Sequence, residues 1–286
     1  MYSCSIQNIN GNVLVLTGNE PVYQVIAITG LNPPKAQINT TTIVGLDGAV
    51  FNSSKLQTRN IVLTIKINGN VEQNRLNLYQ YFRTKEWCKF HYTNASRNVY
   101  IEGYVDSVEC DLFTNKEIAQ ISIICPYPYF RDLTEIMTDI SSSLALFTFP
   151  FSINENEPIP ISSYETDRVT NIYNDSESEV GITIRINVIA DVSEIELRNI
   201  NTGEDFTLDY SFEEGDVITI NTNKGKKSVS LLRNGTVINL FSALQKGSVF
   251  FQLHVGNNPF SYLADNGNSN DNVFILFYHS KEFRGV

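Results

Sequence analysis

Ile61, Leu63, Ile65 and Ile67 alternate with Val62, Thr64 and Lys66 in the run from Arg59 to Ile67. A two-residue period sends one row of side chains into a core and the other to the opposite face, so it predicts a half-buried strand. Asn68-Gly69 follows, and both residues tolerate the positive φ of a tight turn. Asn70 can then cap a helix, with Gln73 three residues on completing a capping box. Val71, Arg75, Leu78, Tyr79 and Phe82 recur at helical spacing and make one mostly apolar stripe. Glu72 in the first turn and Arg83 and Lys85 near the end carry the signs that a helix dipole favours. The stretch from Arg59 to Lys85 is therefore a strand, a tight turn and an amphipathic helix. It builds core and offers no recognisable chemistry.

The residues around it are β-prone. Val13–Leu16 and Val22–Ile28 are short strand candidates with a turn at Gly18-Asn19. Pro33-Pro34 forces an extended bend. Ile38–Ile43 is β-prone but polar, and Gly45–Phe51 reads as a loop or hairpin return. Further strands are expected at Lys89–Tyr92, Val99–Val105, Val108–Phe113 and Lys116–Cys125. In the last, Ala119, Ile121, Ile123 and Cys125 form a wholly apolar face and the other face is apolar at both ends, as in a central strand. Arg131–Ser143 is polar, with serines and acids, and reads as a connector. A length of 286 residues fits two domains, here 1–133 and 134–286.

The second half has almost no helical signal. Strand candidates are Leu146–Phe151, Val169–Tyr173, Val180–Ile189, Glu194–Asn199, Asp205–Tyr210, Val217–Thr222, Lys227–Leu232, Val249–Val255 and Val273–Tyr278. Turn residues such as Asn201-Thr202-Gly203, Asn234-Gly235 and Gly256-Asn257-Asn258-Pro259 separate them, and Leu263–Asn272 reads as a loop. Short strands at this spacing predict an antiparallel jelly-roll sandwich. The fold class is thus mainly β with one main helix.

Charge divides the chain the same way. Residues 1–130 carry a net +1 (10 Lys+Arg, 9 Asp+Glu) and residues 131–286 a net −11 (11 and 22). An acidic surface repels phosphate backbones, which argues against a nucleic-acid grip yet suits a non-adhesive lumen. Cys4, Cys88, Cys110 and Cys125 lack CxxC spacing and read as buried small apolar residues of a reducing compartment. The first residues show no basic and apolar leader pattern, and no run reaches the ~18 apolar residues of a membrane span. Folding in the cytoplasm is the expectation.

No catalytic set is visible. His91, His254 and His279 are scattered without a ligand at metal spacing. Glu213, Glu214 and Asp216 flank Gly215 and read as solvated turn charges. GxSxG and the phosphate-cradling glycine motifs are missing from the sequence, so neither an enzyme nor a cofactor is expected. A carbohydrate-binding accessory role for the acidic sandwich is the alternative, with Tyr210, Phe212 and Tyr262 as exposed aromatic platforms. His254-Val255-Gly256-Asn257-Asn258-Pro259 loosely resembles the galectin sugar strand, but the spacing is off, Phe260 replaces its Arg, and the only Trp, Trp87, lies in the other half.

An ordered set of short motifs resembles one family along nearly the whole chain. In the first half they are Gly30-Leu31-x-Pro33-Pro34, Gly45-Leu46-Asp47-Gly48, Arg59-Asn60-Ile61-Val62-Leu63, Asn74-Arg75 with Leu78-Tyr79, Ile101-Glu102-Gly103-Tyr104-Val105 and Ile124-Cys125-Pro126-x-Pro128-Tyr129-Phe130. In the second they are Asn201-Thr202-Gly203-Glu204, Gly215-Asp216, Ile220-Asn221-Thr222, Gly225-Lys226-Lys227 and Phe283-Arg284-Gly285-Val286. The chain resembles the distal tail proteins of long-tailed bacteriophages and phage-like tail particles. That resemblance implies a homo-hexameric ring at the tail tip or baseplate, with a tube-like first domain around a lumen for DNA and a peripheral galectin-like second domain. It implies as partners the tail tube protein, a tail-tip hub protein of the tail-associated lysin kind, and receptor-binding proteins. The virion tail tip is the implied location.

Overall fold

The computed structural model describes residues 2–17, 22–111, 117–140, 143–145, 162–164, 169–265 and 272–286. The chain forms two compact units, Met1–Leu133 together with Glu282–Val286, and Thr134–Lys281.

The first unit contains β1 (Ser3–Asn8), β2 (Val13–Val15), β3 (Tyr23–Thr29), β4 (Ala36–Thr41), β5 (Val50–Leu56), β6 (Arg59–Ile67), α1 (Val71–Tyr81), β7 (Trp87–Thr93), β8 (Asn98–Cys110), β9 (Ile118–Cys125) and the start of β10 (Phe130–Asp139). Its antiparallel sheet runs β2-β1-β7-β8-β9-β6-β3. Ile61, Leu63, Ile65 and Ile67 of β6 are buried, as their alternation predicts. On β9, Ala119, Ile121, Ile123 and Cys125 are buried too, and this strand is central, between β6 and β8. Asn70 caps α1 through Oδ1, which accepts the Gln73 amide at 3.5 Å. Leu78 and Phe82 of the predicted stripe are buried, while Val71, Arg75 and Tyr79 are half-buried.

Four expectations need correction. The helix ends at Tyr81, so Arg83 and Lys85 lie beyond it; Lys85 takes φ +72°, outside helical geometry. Val99–Val105 and Val108–Phe113 are not separate strands: β8 continues to Cys110 through an irregularity between Val105 and Ser107 in its pairing with β9. Arg131–Ser143 is not merely a connector, because Arg131 and Asp132 pair with Tyr100 and Val99 and the strand runs on to Asp139. Residues 282–286, which the sequence assigns to the second domain, belong to the first unit.

In the second unit follow β11 (Ser143–Ala145), β12 (Ser162–Tyr164), β13 (Thr170–Asn174), β14 (Val180–Gly181), β15 (Thr183–Val188), β16 (Val192–Asn199), β17 (Glu204–Phe212), β18 (Val217–Asn221), β19 (Ser228–Arg233), β20 (Thr236–Asn239), β21 (Gln252–Leu253), β22 (Gly256–Ala264) and β23 (Val273–Phe283). Two antiparallel layers, β13-β22-β16-β17 and β23-β15-β18-β19-β20, bury the alternate Ile, Val, Leu and Phe residues of both. This is the expected sandwich. The Gly256–Pro259 turn is instead the start of β22. Pro259 is tolerated there because β16 pairs only from Phe260 onward. Leu146–Phe151, Gly18-Asn19 and 266–271 of the expected loop lie outside the described residues. Among the described residues, no helix is long and apolar enough to cross a membrane.

Candidate assembly interface

The β4–β5 hairpin pairs with no third strand among the described residues. Every residue of β4 is exposed, and in β5 only Leu56 is even half-buried. Ile38 keeps 63% of its surface open and Phe51 62%, and Ile43, Val44, Leu46 and Val50 at the far end are exposed as well. The register explains how these residues share a face. Ile38 stands opposite Ser54, and Thr40 opposite Phe51 after a shift at Asn39, so Ile38, Thr40, Phe51 and Ser54 point one way. The other face is an amide and hydroxyl ladder. Asn39 Nδ2 donates to Ser53 Oγ at 3.0 Å, Asn52 Nδ2 to Thr41 Oγ1 at 2.6 Å and Gln37 Nε2 to Asn39 Oδ1 at 3.4 Å. From Ala36 to Ser54 the only charged residue is Asp47.

An isolated two-stranded hairpin is marginally stable in water, and contiguous exposed apolar residues mark a surface that something covers. The sheet of the first unit adds open edges. Among the described residues β3 pairs only with β6, leaving Ile26 exposed, and β2 pairs only with β1, leaving Val13 and Val15 exposed. Unpaired strand edges are templates for another chain. Sequence reading gave Gly45–Phe51 as a loop or hairpin return, which β4 and β5 bear out, but did not show that the hairpin stands exposed. Its signal was the mismatch between two β-prone runs and the absence of an alternating apolar row for a core.

The side chains singled out for chemistry are held by structure. Asp216 is buried and Arg233 Nη2 donates to its Oδ2 at 2.5 Å. That hydrogen bond holds the carboxyl below the usual range, so Asp216 is no solvated turn charge. Glu213 accepts from Arg233 Nη1 at 2.9 Å, and the same guanidinium lies 5.7 Å from the Tyr210 ring centroid. Phe212 is 2% exposed, so the expected exposed platform is corrected there: its ring is core and has no face for a sugar. Tyr210 and Tyr262 are half-buried against that core, on strands separated by β16. His91 and His279 have pKa values lowered mainly by burial. His254 Nδ1 lies 2.8 Å from Glu179 Oε1. Burial pushes Cys4 up to about 11 and Cys88 and Cys125 up to about 12, which leaves them as unreactive thiols. Among the described residues, no group of three His, Cys, Asp or Glu side chains could hold a metal ion.

Comparison with known proteins gives this surface its context. Residues 15–125 match the family "Phage tail protein RIFT-related domain", and residues 175–279 match "Siphovirus-type tail component, C-terminal domain". No curated protein sequence matches the chain significantly. The crystal structure of the Dit protein of phage SPP1 is similar in fold, with a TM-score of 0.70 at 15% identity over 98% of this chain and 99% of that one. A chain of the phage P2 baseplate is similar with a TM-score of 0.60 at 13% identity over 100% of both chains. Both family matches fall on the two units described above, and the chain belongs to the distal tail protein family, the structural tail components of siphophages.

Proposed function

We propose that six copies of this chain close a ring at the tip of the tail tube and act there as an adaptor. The observation that carries this reading is the exposed hairpin with its two unlike faces. The Ile38–Phe51 face seats on a neighbouring copy, where burial of both side chains contributes about 1.5–3 kcal/mol each. The ladder of amides and hydroxyls faces the bore, where it offers passing DNA a single cation, Lys55 opposite Gln37, and no row of anions to repel it. The open edges of β2 and β3 lie next to further neighbours. One face of the ring meets the tail tube protein and the other the tail-tip hub, and receptor-binding proteins dock on the acidic second units. The protein does this work in the virion, after assembly in the bacterial cytoplasm, without catalysis.

Light scattering on the full chain tests the hairpin's part. Phe51→Asp places a charge on the apolar face and leaves both cores untouched, so it abolishes self-association with unchanged thermal melting. Self-association that persists in Phe51→Asp overturns the assignment of that face.

A further inference from the structure

Residues 282–286 close the first unit from the far end of the chain. Glu282 is buried, and its carboxylate accepts Arg131 Nε at 3.0 Å and the Tyr127 hydroxyl at 2.5 Å. The Arg97 guanidinium lies 4.1 Å from the Phe283 ring centroid and donates to Gly285 O. Arg59, also buried, spreads over four backbone carbonyls. Nε donates to Pro128 O at 2.8 Å, Nη1 to Gly30 O and to Asn32 O at 2.7 Å, and Nη2 to Arg284 O at 2.5 Å.

These contacts converge on 30–34, the segment that runs directly into β4. Val286 N donates to Leu31 O at 3.1 Å. A Cβ added to Gly285 would stand 3.0 Å from Pro33 Cδ, 3.1 Å from Pro33 N and 3.2 Å from Leu31 O. Gly30 takes φ +88°, and a Cβ there would lie 2.1 Å from Asn60 O, so the segment crosses β6 at the one residue type that fits. Gln57 N then donates to Lys35 O at 2.9 Å and closes the neck of the hairpin.

We infer that residues 282–286 are a clasp that seats the neck of the β4–β5 hairpin and so fixes the direction in which the hairpin projects. Among the described residues no third strand orients the hairpin along its length, so its direction is set at the neck. The neck is held by Arg59 and by the backbone of 284–286. Without the clasp, Arg59 loses one carbonyl, Arg131 and Tyr127 lose a buried carboxylate, and Leu31 loses its bond from Val286. The β6–β9 ladder, from Arg59–Cys125 to Lys66–Ile118, uses none of these residues beyond Arg59 and stays paired. The clasp begins with Glu282 and Phe283, the last two residues of β23, so completing the last strand and seating the hairpin are linked along the chain. The clasp rests on the geometry of the first unit; its importance for assembly rests on the ring reading.

Trypsin cleavage of the full chain tests this, because Lys35, just before β4, and Lys55, near the end of β5, are exposed at the neck of the hairpin. Cleavage at the two lysines is followed by mass spectrometry for the native chain, Gly285→Ala and Gly285→Val, with amide exchange of Ile61, Ile121 and Ile123 read in parallel. Cleavage should quicken in that order, by about tenfold or more in Gly285→Val, since cleavage tracks the open population. The three core amides should keep their native exchange rates. Equal cleavage in all three chains overturns the clasp. So does loss of core protection in step with cleavage, which would make 282–286 ordinary core. The oligomeric mass of the same variants reads the ring separately, so altered cleavage supports the clasp whether or not a ring forms.

Discussion

Glu282→Gln isolates the buried pair that ties the end of the chain into the first unit. The Glu282 side chain is 2% exposed and that of Arg131 16%, with Nε and Oε1 3.0 Å apart. The carboxylate serves two donors, one on each oxygen. Glutamine has one acceptor oxygen, so either Arg131 or Tyr127 must face an NH2 group, and Arg131 loses its counter-charge in either case. Removing one partner of a buried pair costs about 3–5 kcal/mol; the retained oxygen puts this substitution at the lower end, about 3 kcal/mol. For a unit of this size, 1 kcal/mol moves the midpoint by roughly 3–5 °C, which gives a fall of about 10–15 °C. Differential scanning calorimetry measures it. Amide exchange of Ile121 and Ile123 assigns the transition of the first unit, and that of Ile184 and Ile186 the transition of the second. The first should fall and the second should not. A fall confined to the second transition, or a shift under about 2 °C in the first, refutes the assignment of 282–286 and the role of the pair.

Two further outcomes follow from the cores. Leu78→Asp puts a carboxylate at the fully buried position of α1, so the first unit should become insoluble while the second unit, produced separately, stays folded by circular dichroism; soluble, cooperatively melting Leu78→Asp protein contradicts burial of the helix stripe. His279 is buried near the Tyr173 backbone, Asp175 and Lys281, and burial lowers its pKa below 6.5. The unfolded chain therefore binds the proton first, so this part of the stability is complete above pH 6.5 and declines as pH falls through the window below it. His279→Phe should flatten the melting of the second unit between pH 7.5 and 5.5, and an unchanged pH slope excludes His279 as the source.

The sequence was most legible where one residue's period decided its surroundings. The alternation in β6 and β9 and the stripe through Leu78 and Phe82 each named their buried face, and the turn residues of the second half separated most of its strands. Two kinds of feature escaped. One depended on partners far along the chain: the Phe130–Asp139 segment looks like a connector because it is polar, and its partners, the β8 backbone for Arg131 and Asp132 and Glu282 for the Arg131 side chain, lie elsewhere in the sequence. The other depended on a single side chain's direction. Phe212 ends β17 beside polar Ser211 and Glu213, but strand alternation turns it inward, and Asp216 sits in a charged turn yet is claimed by Arg233 at the end of β19, the strand paired with β18. The exposure of the hairpin was hidden for the opposite reason. Its residues show no pattern for a core because, among the described residues of their unit, they pack on none.

The central claim is closure of the first units into a ring, and electron microscopy of the purified full chain addresses it most directly, alone and with the tail tube protein added. Particles with sixfold symmetry, an open centre and a mass of about 194 kDa, six times the 32.3 kDa of one chain, are the predicted result. Single chains under both conditions, or closed assemblies without a central opening, contradict it.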